Sequence, residues 1–242
     1  MSTANAARAT SDPAAATSDP AAGTPVRVLL ADDEELIRTG LRALLSAGPG
    51  VDVVGEAADG DEVLPQVRRL RPDVVLMDVR MPRLDGIEAT RRVRSELSDP
   101  PKVVVITTFE NDEYVYDALQ AGASGFVLKR TPAQQIAHAV RLVAMSDCVL
   151  FPEAVRRLAT SRPVRRDAAR RLAALTHRET DILRRMAKGL TNQEISAELV
   201  VSPETVKTHV GNVLAKLAAQ NRTQAVILAY ETGLVGPGAT GL

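Results

Sequence analysis

The chain has 242 residues, equal numbers of Lys+Arg and Asp+Glu, 45% apolar residues, 2% aromatics and no Trp. That length and apolar content allow one large domain or two small ones with aliphatic cores, and the single cysteine, Cys148, excludes an internal disulfide. No apolar stretch approaches the roughly 20 residues that span a bilayer, and the N-terminus lacks the basic-then-apolar pattern of a secretory signal, so the expected location is the cytoplasm.

Net neutrality conceals an asymmetry. From Glu153 onward there are 14 Lys and Arg against 8 Asp and Glu, a net of +6, which leaves −6 on the remainder. An acidic part joined to a basic part suggests two modules, the second facing a polyanion.

Residues 1–24 are mainly Ala, Ser, Thr, Pro and Asp, with Ala-Thr-Ser-Asp-Pro-Ala-Ala occurring at 9–15 and again at 16–22. Ordering such a segment costs more entropy than its burial returns, so a disordered tail is expected. Residues 25–146 then alternate short apolar runs with helical patterns. Strands are expected at Val26–Ala31, Val51–Ala57, Val74–Asp78, Lys102–Thr107 and Gly125–Leu128. Helices are expected near Glu34–Ala47, Asp61–Leu70, Leu84–Leu97, Asp112–Ala121 and Pro132–Met145, with Asn111 as a cap for the fourth. This alternation predicts an α/β doubly wound five-stranded parallel sheet, in the order 2-1-3-4-5.

Residues 147–172 lose the alternation and gain arginine. Apart from a short helix at Glu153–Ala159, they read as a linker. The domain at 173–237 is all helix. Thr176-His-Arg-Glu179 and Thr191-Asn-Gln-Glu194 are capping boxes, and Ser202-Pro203 caps a third helix running to about Leu217. A fourth covers about Arg222–Thr232, and 238–242 form a short tail. Two short helices, a tight turn and a longer helix predict helix-turn-helix geometry within an all-α four-helix domain.

Chemistry concentrates at the strand ends. Asp32 and Asp33 follow the first strand, Asp78 closes the third, Thr107 closes the fourth and Lys129 follows the fifth. In an open parallel sheet those ends meet in one crevice. Clustered carboxylates repel unless a cation intervenes, and hard oxygen ligands suit Mg²⁺. The lysine and threonine are then left to handle an anion, which makes the crevice a phosphate-handling site.

At Leu-Leu-Ala-Asp32-Asp33, Met-Asp78-Val-Arg-Met-Pro-Arg-Leu-Asp-Gly86, Val-Ile-Thr107-Thr and Ala-Gly-Ala-Ser-Gly-Phe-Val-Leu-Lys129 the chain resembles the receiver domain of two-component response regulators. At Leu-Thr176-His-Arg-Glu179, Gly-Leu-Thr-Asn192-Gln-Glu-Ile195 and Val-Ser-Pro-Glu-Thr-Val-Lys207-Thr-His-Val210 it resembles a LuxR-type helix-turn-helix. Together these resemble response regulators of the NarL/FixJ type.

The resemblance implies that Asp78 is the phosphoacceptor. Asp33, Asp78 and the backbone carbonyl of Arg80 would ligate Mg²⁺, with Asp32 acting through water. Lys129 would pair with the phosphoryl group and Thr107 would hydrogen-bond it. Phe126 would change rotamer in step, although as a sequence feature it reads equally as core. Implied partners are a sensor histidine kinase and double-stranded DNA, the latter bound by a homodimer. Thr191, Asn192, Thr205, Lys207, Thr208, His209, Asn212 and Lys216 are the expected DNA contacts. Read alone, Lys207 and Lys216 also fit solvated helix charges, and Thr191, Asn192 and Thr205 fit caps. The stripe Val226, Ile227 and Tyr230 fits core, dimer contact or both.

Arg130, Gly211 and Ala218-Ala219-Gln220 depart from common family patterns. A different class, an Asp-phosphorylating phosphohydrolase, needs an acid two positions after its nucleophile. That position here is Arg80, which argues against turnover. A degenerate receiver under small-molecule control is the third reading, and the complete acidic pocket argues against it.

Overall fold

In the computed structural model, residues 24–108, 112–145, 155, 156, 159 and 166–235 are described. The expectations for both terminal tails, Cys148, the Asn111 cap and most of the Glu153–Ala159 helix lie outside them.

The first domain runs β1 (Val26–Ala31), α1 (Glu35–Ser46), β2 (Val51–Ala57), α2 (Gly60–Leu70), β3 (Val74–Asp78), α3 (Gly86–Glu96), β4 (Lys102–Thr107), α4 (Asp112–Gln120), β5 (Gly125–Leu128) and α5 (Ala133–Met145). All strand pairs are parallel, in the order β2-β1-β3-β4-β5. The β3 sequence Val-Val-Leu-Met-Asp is buried at every position, as a strand covered on both faces requires. Leu29, Val75, Met77, Val103 and Val105 pack on one face of the sheet, and Val28, Leu30, Val74, Leu76, Val104 and Ile106 on the other. Alternate residues therefore feed two aliphatic cores, which is how a chain with so few aromatics fills two layers.

The second domain contains α6 (Arg166–Ala173), α7 (His177–Ala187), α8 (Asn192–Leu199), α9 (Pro203–Leu217) and α10 (Arg222–Glu231). The two capping boxes form, with Thr176 and Thr191 accepting from the backbone N–H of Glu179 and Glu194. Ser202 caps α9 with Pro203 in its first turn, and Asn221 caps α10. Between α8 and α9 the chain reverses through Val200 at φ 52°, a left-handed conformation that costs a β-branched residue about 1–2 kcal/mol.

One element differs from the sequence reading. α6 lies where a linker is expected. Ala168 is buried and Leu172 half-buried, and α6 packs against α9. The spacing of four between those two residues is a helical signal that the surrounding arginines obscure.

The two domains are docked. Asn221 Nδ2 donates to the carbonyls of Gly122 (2.7 Å) and Ala123 (3.1 Å), Thr223 Oγ1 to Ser124 O (2.7 Å) and Gln224 Nε2 to Gln120 O (2.6 Å). Arg94 Nη2 donates to Gln220 O at 2.8 Å, and the Tyr116 hydroxyl bonds Glu231. The receiver side of this contact is α4 and its loop into β5, with Arg94 of α3. The other side is Gln220, the start of α10 and its last residue, Glu231.

Candidate functional site

The strand ends converge as expected. Ligand oxygens of Asp32, Asp33 and Asp78 all lie within 4.8 Å of one another. Asp32 and Asp78 are buried, and Asp33 is exposed at the rim. Lys129 Nζ sits 2.6 Å from Asp32 Oδ2 and 3.4 Å from Asp78 Oδ2. Thr107 is buried at the end of β4, in register with Leu128, while Phe126 is half-buried opposite Val105.

Close packing brings the β3 carboxyl end against α3. A Cβ on Gly86 would lie 1.9 Å from the Asp78 carbonyl oxygen and 2.9 Å from Met77 Cγ. Only glycine lets the start of α3 approach that strand. Gly86 N–H then donates to Val79 O at 2.9 Å, and Asp85 caps α3 through Glu88 N–H at 2.7 Å.

The electrostatics follow from burial and crowding. Burial of the Asp78 carboxylate, with the Asp32 charge adding to it, pushes its pKa up to about 6. Lys129 and the Val79 N–H oppose that rise. For Lys129, burial works against the charge. The bond to Asp32 and the charges of Asp78, Asp32 and Glu34 outweigh it, so its pKa is raised and it stays an ammonium. Three carboxylates facing one ammonium leave surplus negative charge and unsatisfied hard-oxygen ligands, a donor set that fits a divalent cation.

Two residues at the site went unread in the sequence. Glu34 Oε1 lies 3.5 Å from Lys129 Nζ. The Arg80 guanidinium stands 6.0 Å from the Tyr114 ring centroid, and both line a hollow of about 390 Å³ that also takes in Asp33 and Met81. Glu34 follows the Asp32-Asp33 pair directly, so its position was available as a signal. Tyr114 comes from α4, and nothing local to its sequence ties it to the pocket.

The residues expected at DNA divide into two groups. Thr205, Lys207, Thr208 and Asn212 are exposed along α9, and His209 is half-buried. The receiver therefore leaves the outer face of α9 open and occupies α10 instead. The others carry structural duties. Thr191 caps α8, and Asn192 Oδ1 accepts from Arg222 Nη1 at 2.8 Å. Lys216 Nζ is 2.7 Å from Oε2 of buried Glu179. Burial works against the charge on Glu179, but its bonds from Lys216 and Thr176 hold its carboxyl below the usual range. Val226, Ile227 and Tyr230 are all buried, with the Tyr230 hydroxyl donating to Ala187 O at 2.6 Å. That stripe is core in this arrangement and offers no open dimer face.

A five-stranded parallel sheet with an acidic crevice at its carboxyl end, joined to a helix-turn-helix, defines a signal receiver coupled to a DNA-binding output. The family model "Response regulator receiver domain" matches residues 28–141, and "Bacterial regulatory proteins, luxR family" matches 173–229. "Transcriptional regulatory protein LiaR" of Bacillus subtilis is 42% identical over 210 residues, covering 87% of this chain and 99% of that protein. "Response regulator protein VraR" of Staphylococcus aureus is 41% identical over 210 residues, covering 87% of this chain and 99% of the relative. Among solved structures, the response regulator ChrA of a heme-sensing two-component system is 34% identical, with TM-score 0.48, covering 87% of this chain and 99% of its own. The chain belongs to the NarL/LuxR family of DNA-binding response regulators. Among the described residues, no helix is long and apolar enough to cross a membrane.

Proposed function

We propose that the protein is a cytoplasmic transcription regulator switched by phosphorylation of Asp78, with a sensor histidine kinase as donor. The observation that carries this reading is the meeting of three carboxylates within 4.8 Å beside Lys129. One Asp78 carboxylate oxygen attacks the phosphorus of a phosphohistidine. A P–O bond forms as the P–N bond breaks, and the departing imidazole takes its proton from solvent. Two anions must approach for this, so the charge has to be cancelled. Lys129 supplies one cation in place, already held by Asp32 at 2.6 Å.

Asp32, Asp33, Asp78 and the Arg80 carbonyl are the residues that would hold Mg²⁺. When bound, the ion would neutralise phosphoryl oxygens as a Lewis acid. The phosphorylated side chain would carry roughly −1.5 to −2 charge in place of the carboxylate's −1, with three phosphoryl acceptor oxygens. Thr107 and Lys129 would bond them, and Phe126 on the neighbouring strand would be the responding ring. Arg80 sits where a hydrolase would carry its acid, which supports a lasting acyl phosphate over rapid turnover.

For the output, Lys207, Thr208, His209 and Asn212 would meet double-stranded DNA from α9. Thr205, Thr191, Asn192 and Lys216 would flank them at the phosphates, and a two-fold dimer would read two half-sites. The test is labelling with acetyl phosphate and Mg²⁺. Wild type should incorporate phosphate and Asp78→Asn should not; equal labelling of the two would remove Asp78 from its role.

A further inference from the structure

Asp59, just beyond the end of β2, is a buried carboxylate that the phosphorylation chemistry does not use. It is 3% exposed, less than Asp78 at 6%. Its Oδ2 accepts the main-chain N–H of Arg83 at 3.0 Å and its Oδ1 that of Leu84 at 3.0 Å, 24 and 25 residues further along the chain. Asp59 also caps α2, but the bond from Asp61 N–H is 3.5 Å long. Hydrogen bonds weaken with length, so holding the distant loop is its stronger engagement. Burial works against the charge on Asp59. The N–H groups of Arg83, Leu84 and Asp61 outweigh it and hold the carboxyl below its usual range. Bonds to an ionised carboxylate are roughly twice as strong as neutral ones.

The loop so held is residues 79–85, between β3 and α3. Its neck is closed by Gly86 N–H on Val79 O at 2.9 Å, and its far side is closed by Asp59. A Cβ on Gly60 would lie 2.2 Å from Leu84 O, so the two backbones are in contact there. The Asp59 segment is itself tied to the crevice. Ala57 pairs with Ala31, and its carbonyl accepts from Asp32 N–H at 3.2 Å. Asp59 therefore refers the loop to the same frame that carries Asp32 and Asp33. The Arg83 guanidinium adds bonds to Asp61 (2.8 Å) and Glu62 (2.9 Å), but Arg83 is exposed and ion pairs of exposed groups contribute little.

Among the groups assigned to Mg²⁺, Asp32 and Asp33 directly follow β1 and Asp78 closes β3, whereas the Arg80 carbonyl belongs to this loop. Mg²⁺ demands near-ideal octahedral geometry, so a carbonyl on an untethered loop is a poor ligand. We propose that Asp59 is a positioning residue for the metal: by holding the amides of Arg83 and Leu84 it fixes the loop and with it the Arg80 carbonyl. The proposal rests on the reading of the crevice as a Mg²⁺-assisted phosphorylation site, and it extends to that site the rule that hydrogen bonds behind the ligands tune metal affinity.

The probe is Mn²⁺, which takes the same hard-oxygen ligands, counted by electron paramagnetic resonance on the full chain with Mg²⁺ as competitor. Asp59→Asn keeps a helix cap of equal strength but turns one acceptor oxygen into an amide donor, so a loop N–H loses its partner. It should bind Mn²⁺ about tenfold more weakly than wild type. Its acetyl-phosphate labelling should fall at limiting Mg²⁺ and return to near the wild-type rate at saturating Mg²⁺, a split that a merely structural role would not produce. Arg83→Ala keeps the main-chain N–H and should bind as wild type does. In wild type itself, hydrogen exchange at the Arg83 and Leu84 amides should slow when Mg²⁺ is added, because coupling between sites is reciprocal. That measurement decides the matter even if Asp59→Asn does not fold. Asp33→Asn separates the two readings. If it binds Mn²⁺ like wild type, the metal reading falls and the positioning role with it. If it loses the metal while Asp59→Asn retains full affinity, the positioning role alone is overturned. Labelling lost equally at both Mg²⁺ levels, exchange at Arg83 and Leu84 unmoved by Mg²⁺, or Arg83→Ala as weak as Asp59→Asn would each overturn it too.

Discussion

Replacing the Asp78 carboxylate with an amide should make the receiver more stable, not less. The carboxyl titrates at about 6 in the folded chain against an ordinary 3.8. At about 1.36 kcal/mol per tenfold change, ionising it costs roughly 3 kcal/mol more in the folded state than in the unfolded one. The sign follows from proton counting. Between about pH 4 and pH 6 the folded chain keeps a proton that the unfolded chain has released, so stability falls as pH rises through that window. Above it the penalty is complete. Asp78→Asn removes the charge, keeps the shape, and leaves Lys129 its 2.6 Å partner in Asp32. Allowing for relaxation around the site, the expected gain at pH 7.5 without divalent metal is about 1–3 kcal/mol. For a chain of this size that raises the melting temperature by roughly 2–4 °C per kcal/mol. With no Trp, helical circular dichroism during urea unfolding is the suitable readout. The advantage of the variant should fade as pH is lowered toward 4. Added Mg²⁺ should stabilise wild type much more than the variant. A variant no more stable than wild type at pH 7.5, or an equal advantage at pH 4, would refute the electrostatic reasoning.

Two glycines should respond in opposite directions to the same substitution. Gly86→Ala forces a methyl to within 1.9 Å of backbone and should cost at least about 2 kcal/mol and impair acetyl-phosphate labelling. Gly211→Ala, in mid-α9 with open space around it, should gain about 0.5–1 kcal/mol in the same unfolding assay. Parallel outcomes would mean the packing at one of them is misread. The two α9 lysines should also separate. Lys207→Ala should weaken DNA binding and lower the salt slope by about one, as loss of one phosphate contact requires. Lys216→Ala strands the buried Glu179 carboxylate and should cost about 1–3 kcal/mol of stability. A Lys207→Ala affinity equal to wild type at every salt concentration would displace α9 from the DNA.

The elements that were legible in the sequence are those whose cause is local. Each strand appears at its expected residues, and four of the five are apolar runs closed or followed by the polar residue that they deliver to the crevice. The capping boxes fixed the starts of α7 and α8 for a similar reason, since Thr and Glu three apart satisfy orphan amides within a single turn. The acidic pocket was legible because the topology does the assembling. Once five strands are parallel, Asp32, Asp33, Asp78, Thr107 and Lys129 have nowhere else to meet. α6 was not legible, because its arginines swamped an apolar period carried by Ala168 and Leu172 alone. Lys216 was read as a basic residue on an exposed helix face, whereas a buried carboxylate 37 residues away claims it.

The docking of the two domains left almost no trace in the sequence, and its chemistry explains why. Asn221, Thr223 and Gln224 all donate to main-chain carbonyls, at Gly122, Ala123, Ser124 and Gln120. A salt bridge leaves two complementary residues that pattern reading can pair. A side chain bonded to backbone leaves one residue on one side and only a shape on the other. The shape does survive at a single position. Gly122 sits at φ +110°, and a Cβ there would stand 2.6 Å from Gln220 Oε1 and 2.9 Å from Arg94 Cδ. Glycine suits the left-handed turn, and a side chain there would also have to displace Gln220 of the other domain. The same loop leads directly into β5, whose residues pair with the strand ending in Thr107. The loop is therefore a short backbone path between the phosphorylation crevice and the helix start where the output domain is held.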